Sequence, residues 1–126
     1  MEENKHKNVV IVEDDPLQAN VMTMLLNSLD YDVVGVAETG EEAIKLVVDL
    51  KPGLVLMDIM LKGELDGIEA AKKILSGSGS DISLIYITGN SDSFHRRRAD
   101  KTNYVDYLVK PITKKNLTDA LAKCKT

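Results

Sequence analysis

Cysteine is almost missing from this chain. Cys124 is the only one in 126 residues, so no intrachain disulfide can form and the fold must rest on its core. That usage fits a reducing compartment. Long apolar runs are missing as well: nothing approaches the ~20 residues needed to span a bilayer. The opening segment MEENKHKN is polar where a secretory leader would be apolar. Nor is there an excess of positive charge. A net charge of -4 argues against generic nucleic-acid binding. No Gly-rich phosphate loop follows the first apolar run, which speaks against a nucleotide site. What is present is ordinary for a folded globular protein, 44% hydrophobic and 29% charged residues. The length is enough to bury a core without a structural metal. These features predict one soluble, cytoplasmic domain over residues 1–126, with its core over about 8–124 and a polar tail at 1–7.

Apolar strand-like runs alternate with helical patterns along the whole chain. NVVIVE (8–13), YDVVGVA (31–37), PGLVLMD (52–58), ISLIYIT (82–88) and VDYLV (105–109) read as strands. Between them, Asp15 and Pro16 suit the N-cap and first position of a helix whose apolar face would be Leu17, Val21, Met24, Leu25 and Leu29. Thr39 with Glu42 forms a capping-box pattern before Ala43, Ile44, Val47 and Leu50. Asp66 can cap a helix bearing Ile68, Ala71, Ile74 and Leu75, and SGSGS (76–80) reads as a flexible connector. A polar helix is expected around 92–102. Thr113 can cap a last one with Leu117, Ala120, Leu121 and Cys124 on one face. Strands without polar alternation expect cover on both faces. The pattern predicts an α/β, doubly wound, five-stranded parallel sheet of flavodoxin-like (βα)5 type, in strand order 2-1-3-4-5.

In such a sheet, ligands bind beyond the carboxyl ends of the strands. Glu13 and Asp14 end the first strand, Asp58 ends the third, Thr88 the fourth and Lys110 the fifth. Singly, each has an ordinary explanation: a loop acid, a turn threonine, a solvated lysine. Together on one rim they point to a site. Two carboxylates ~4 Å apart repel by about 4 kcal/mol at an effective dielectric of about 20. Three acids therefore call for a compensating cation. Oxygen ligands without nearby Cys or His fit magnesium better than zinc or a calcium cage.

These residues closely resemble the receiver domain of two-component response regulators (CheY-like). VVIVEDDP, VLMDIML, DGIEAAKKI, YITG and DYLVKP match that family's motifs in order and spacing. The resemblance implies that Asp58 accepts a phosphoryl group from the phosphohistidine of a sensor histidine kinase or a histidine phosphotransfer protein. It implies Mg²⁺ held by Asp14, Asp58 and the backbone carbonyl of Met60, with Glu13 acting through water. Lys110 would pair with a phosphoryl oxygen, and the Lys110–Pro111 bond would be cis. Thr88 and Tyr107 would form the switch, Tyr107 moving from exposed toward buried. That movement would reshape the face of the fourth helix, fifth strand and fifth helix for a downstream protein target or a homodimer. No membrane contact is implied, and the chain could stand alone or be cut from a larger kinase or regulator. Met60 and Asn90 occupy positions where the family tunes phosphoryl lifetime.

The chain departs from the family pattern at Lys62, where proline is usual, and at Tyr104 and Val105, where glycine-alanine is common. FHRRR (94–98) reads first as a solvated helix face, second as a dock for an acidic partner, and third as a nucleic-acid contact. His6 and His95 read as solvent-exposed rather than as phosphodonors. The competing function is a phosphatase of haloacid-dehalogenase type, which shares a strand-end Asp, a Thr or Ser, and a Lys. That chemistry places a second acid two residues after the nucleophile, where this chain has Met60, which cannot transfer a proton. A degenerate receiver that only binds is a third reading, opposed by the intact Glu13, Asp14, Asp58, Thr88 and Lys110.

Overall fold

Runs of branched apolar residues form strands here because helices cover both of their faces. The computed structural model describes residues 7–78, 81–89 and 93–124. The order is β1 (Asn8–Val12), α1 (Pro16–Ser28), β2 (Asp32–Ala37), α2 (Gly40–Leu50), β3 (Leu54–Asp58), α3 (Gly67–Ser78), β4 (Ser83–Thr88), α4 (Ser93–Ala99), β5 (Asp106–Val109) and α5 (Lys114–Leu121). All pairings are parallel, and the strand order is β2-β1-β3-β4-β5, as the pattern predicts.

Alternate strand residues feed two separate cores. Val9, Ile11, Leu54, Leu56, Ile85 and Ile87 pack with Met22 and Leu26 of α1 and Leu117, Ala120 and Leu121 of α5. Val10, Val12, Val55, Met57, Leu84 and Tyr86 pack on the other face with Ala43 and Val47 of α2, Ile68, Ala71 and Ile74 of α3, and Ala99 of α4. Every residue of β3 and β4 is buried, which explains why these strands carry no polar alternation.

The helix starts follow their capping residues. Asp15 accepts the Leu17 amide at 3.0 Å, and Thr113 accepts the Asn116 amide at 3.0 Å. Asp66 and Glu69 form a reciprocal box, with bonds of 2.9 and 3.0 Å between each side chain and the other's backbone N–H. At Thr39 only half of the expected box closes. Thr39 accepts the Glu42 amide at 3.1 Å, but the Glu42 carboxylate takes the N–H of Glu38, one residue upstream, at 2.7 Å. α3 runs on through Ser78, so the connector expected at 76–80 is helical in its first half, and Gly79 and Ser80 lie outside the described residues. α4 is shorter than expected, Ser93–Ala99 rather than 92–102.

The face of α1 is a correction. Leu17 and Met24 are each 71% exposed and Val21 is exposed as well, while Ala19, Met22 and Leu26 are buried. Only Leu25 and Leu29 of the expected set touch the core, as partly buried neighbours. α1 has apolar residues on two faces, so spacing alone does not select the inner one. Met22 and Leu26 turn inward because they join the cluster that Ile11 and Ile87 form beneath the helix. Leu26→Ala should cost about 2–5 kcal/mol of stability in urea denaturation. Met24→Ala and Leu17→Ala should each stay within about 0.5 kcal/mol. The reverse ranking would put the other face inward.

Candidate functional site

Strand register gathers the polar residues before any side chain is considered. Val12 of β1 pairs with Met57 of β3, so the next residues, Glu13 and Asp58, emerge side by side. Thr88 of β4 pairs with Val109 of β5, which sets Lys110 one residue further along the same rim. The Lys110 amide donates to the Thr88 carbonyl at 2.7 Å, and the Glu13 amide donates to the Ala37 carbonyl at 2.9 Å, so both positions are fixed by backbone. The Lys110–Pro111 peptide is cis.

The side chains complete the arrangement. The Lys110 ammonium donates to Glu13 Oε1 at 2.9 Å and to Asp58 Oδ2 at 3.0 Å. Glu13 is 2% exposed and Asp58 5% exposed, so both carboxylates sit at the floor of the rim. The second oxygen of Glu13 accepts the Asp15 amide at 3.2 Å, and Asp58 Oδ1 accepts the Met60 amide at 3.2 Å. Asp14 is partly exposed, and one carboxylate oxygen from each of Glu13, Asp14 and Asp58 lies within 4.8 Å of the others. Thr88 is buried beside them at the end of β4.

This crowding shows in the ionisation of the group. Burial pushes the Glu13 carboxyl above its usual range, and the neighbouring Asp58 charge adds to the rise against the pull of Lys110. Burial would lower Lys110, but its hydrogen bonds to Glu13 and Asp58 and their charges outweigh this and hold it raised. A single ammonium therefore compensates three carboxylates incompletely. The donor set is all oxygen, with one carboxylate accessible and two deep, which suits a hard divalent ion of magnesium type. The set expected from sequence (Glu13, Asp14, Asp58, Thr88 and Lys110) is thus brought together at one rim. Met60 follows on the adjoining loop, its side chain exposed.

One residue that sequence reasoning left out is Gly67. Its amide donates to the Ile59 carbonyl at 2.8 Å. A Cβ there would overlap the Asp58 carbonyl oxygen and stand 2.8 Å from the Ile59 Cα. Only glycine lets the start of α3 press against the loop that carries Asp58. The Asp66–Gly67 pair opens the motif DGIEAAKKI, but spacing alone does not show that its glycine packs on the Asp58 backbone.

In the switch region Tyr107 is buried, 8% exposed, which is the inner of the two positions that the resemblance implies. Its ring sits 6.1 Å from Tyr86 and 6.3 Å from Tyr104, and those two meet edge to face at 5.5 Å. The Arg96 guanidinium lies 4.5 Å over the Tyr107 ring. Tyr104, one of the two bulky departures, fills this aromatic cluster and donates to Asp100 at 2.6 Å. Burial pushes the Tyr86 hydroxyl up to about 12. FHRRR is not simply a solvated face. Arg98 pairs with Asp66 at 2.7 Å, so two of its arginines are turned to intramolecular partners. His95 is half-buried, its ring 5.4 Å from that of Phe94; His6 and Asn90 lie outside the described residues.

Comparison with known proteins decides the class. The sequence pattern of the response regulator receiver domain matches residues 9–122, and the chain belongs to that family. The positive alginate biosynthesis regulatory protein of Pseudomonas aeruginosa is 38% identical over 118 residues, which are 92% of this chain and 46% of that protein. The chain spans about half the length of the curated relatives it matches. Among solved structures, the signal receiver domain of a modulated diguanylate cyclase from Desulfovibrio desulfuricans superposes with a TM-score of 0.86 at 39% identity, covering 93% of this chain and 91% of that one. The receiver domain of the sensor histidine kinase PA1611 from Pseudomonas aeruginosa superposes at 0.82 with 28% identity, covering 93% and 95%; it carries a magnesium ion coordinated in its active-site cleft. Family membership selects the receiver class over the phosphatase alternative. Among the described residues, no helix is long and apolar enough to cross a membrane.

The raised Glu13 pKa gives a signed pH prediction. The folded state binds that proton more tightly than the unfolded chain, whose carboxyl titrates near ~4.3. This group therefore favours folding at low pH, and the contribution is lost as pH rises through the folded pKa. Glu13→Gln should stabilise the metal-free protein relative to wild type at neutral pH. The gain should shrink as pH falls through the folded-state titration, as read by urea midpoints in chelator. A gain independent of pH would remove the ionisation argument.

Proposed function

We propose that this chain is a phosphoacceptor switch in which Asp58 takes a phosphoryl group. The observation that carries the proposal is the bridging of Glu13 and Asp58 by Lys110 at the rim where Asp14 also lies. An Asp58 oxygen attacks phosphorus of a phosphohistidine on a kinase or phosphotransfer protein. The P–N bond breaks, the imidazole leaves with its electron pair and takes up a proton, and an acyl phosphate forms on Asp58. Phosphoryl transfer asks the protein chiefly for positioning and charge neutralisation. β3 holds Asp58 rigidly, and the Met60 amide bond to Oδ1 orients its carboxylate. Lys110, already 3.0 Å from Oδ2, is placed to neutralise a phosphoryl oxygen.

The carboxylate set fits Mg²⁺, with Asp14, Asp58 and the Met60 carbonyl as direct holders and Glu13 acting through water. Bound there, the ion would screen the negative charge of donor and acceptor as they approach. Thr88, buried at the end of β4, is the hydroxyl that would answer to the new phosphoryl oxygens. Tyr107 and the surface of α4, β5 and α5 would pass the change to a protein target or a second copy. We read residues 1–126 as one receiver unit acting in the cytoplasm, with self-catalysed phosphorylation and dephosphorylation and no turnover of a free substrate.

The test is incubation with Mg²⁺ and acetyl phosphate, followed by intact mass. One phosphoryl adduct should appear, absent in chelator and absent in Asp58→Asn. An adduct that survives in Asp58→Asn would move the acceptor elsewhere.

A further inference from the structure

α4 has little holding it to the sheet by apolar burial: Ala99 is its only buried residue. Its arginines take up part of that role. Arg98 Nη1 lies 2.7 Å from Asp66 Oδ2, with both side chains only about a quarter exposed, at 26% and 27%. Asp66 does not stand alone. Its Oδ1 accepts the Glu69 amide at 2.9 Å, and its own amide donates to Glu69 at 3.0 Å. Burial would raise the Asp66 carboxyl, but the Arg98 hydrogen bond, the Glu69 amide and the Arg98 charge together hold it below its usual range. The ion pair is therefore formed at neutral pH. The next residue, Gly67, donates to the Ile59 carbonyl at 2.8 Å and packs directly on the Asp58 backbone. Arg98, Asp66, Gly67 and the Asp58–Met60 loop form one continuous line of contacts. It runs from α4 to the back of the residue whose Oδ1 is oriented by the Met60 amide.

We infer that Arg98 is a positioning residue for phosphoryl acceptance, acting through its ion pair with Asp66 to brace the loop that presents the Asp58 carboxylate. The inference rests on Asp58 being the acceptor. Removing the pair loosens the start of α3 and spreads the Asp58 carboxylate over a wider range of orientations, which slows attack.

The test measures the rate of acetyl phosphate-driven adduct formation with Mg²⁺ for wild type, Arg98→Gln, Asp66→Asn, the double variant and Arg98→Lys. Asp66→Asn keeps an N-cap oxygen and leaves the Arg98 guanidinium in place 5.8 Å over the Phe94 ring, so it isolates the charge pair and carries the comparison should Arg98→Gln fold poorly. Each single variant should slow the reaction about three- to tenfold, and the double should be no slower than either, because both remove one interaction. Arg98→Lys should recover most of the wild-type rate. Urea midpoints measured alongside separate bracing from plain stability. Wild-type rates in variants with lowered midpoints would overturn the inference, as would single effects that multiply in the double. A wild type that takes no phosphoryl group at all would instead fail the acceptor reading, and the inference with it.

Discussion

One ammonium between two buried carboxylates is the interaction on which the rest of this molecule depends. Lys110 reaches from beyond the last strand to Glu13 beyond the first and Asp58 at the end of the middle one. The fold brings like charges together, because parallel strands in this order end at a common rim and the register sets Glu13 beside Asp58. Repulsion between them is not removed by water, since both are nearly inaccessible. It is reduced by Lys110, while burial, with the Asp58 charge adding to it, makes Glu13 resist ionisation. A site with surplus negative charge and oxygen donors attracts a divalent ion. The same surplus makes the unmetallated carboxylates a poor target for an anionic phosphoryl donor. The metal requirement proposed for the phosphoryl transfer would follow from this charge count.

The sheet explains why that rim can be rigid. β3 is buried along its whole length and lies between β1 and β4, with a separate apolar core on each face. A carboxylate at its end, if it is the acceptor proposed, would need no ordering at the moment of reaction. From behind, Gly67 closes the support, and it can do so only because it lacks a Cβ. Its place in the chain, one residue after the Asp66 cap, ties the start of a helix to the backbone of Asp58 and Ile59.

Much of this was legible in the sequence, for a physical reason. Strand ends are marked by abrupt passage from apolar to charged residues, as at Val12–Glu13 and Met57–Asp58, and a parallel sheet places such ends together. Asp15, Asp66 and Thr113 could be read as caps because capping is local chemistry. What resisted reading depends on tertiary contact. α1 offers apolar residues on two faces, and only the underlying strands determine that Ala19, Met22 and Leu26 turn inward. Tyr86, Tyr104 and Tyr107 form an aromatic cluster that spacing could not reveal, since none of the three is adjacent in sequence to another. Glu42 had two backbone amides within reach, and spacing could not say it would choose Glu38.

The basic run on α4 shows the same limit from the other side. Three consecutive arginines on a short helix look like a patch because a one-dimensional reading has no access to what lies across the groove. A helix turns by about 100° per residue, so neighbours in a run cannot share a face. Arg96 goes to the ring of Tyr107 and Arg98 to the carboxylate of Asp66. The two contacts lie on opposite sides of the mechanism, one at the aromatic that would report the switch and one behind the residue that would be modified. α4 is short and little buried, so these contacts make up a large share of what fixes its position. With Ala99 as its one buried anchor, α4 owes its placement to these side-chain contacts as much as to the core.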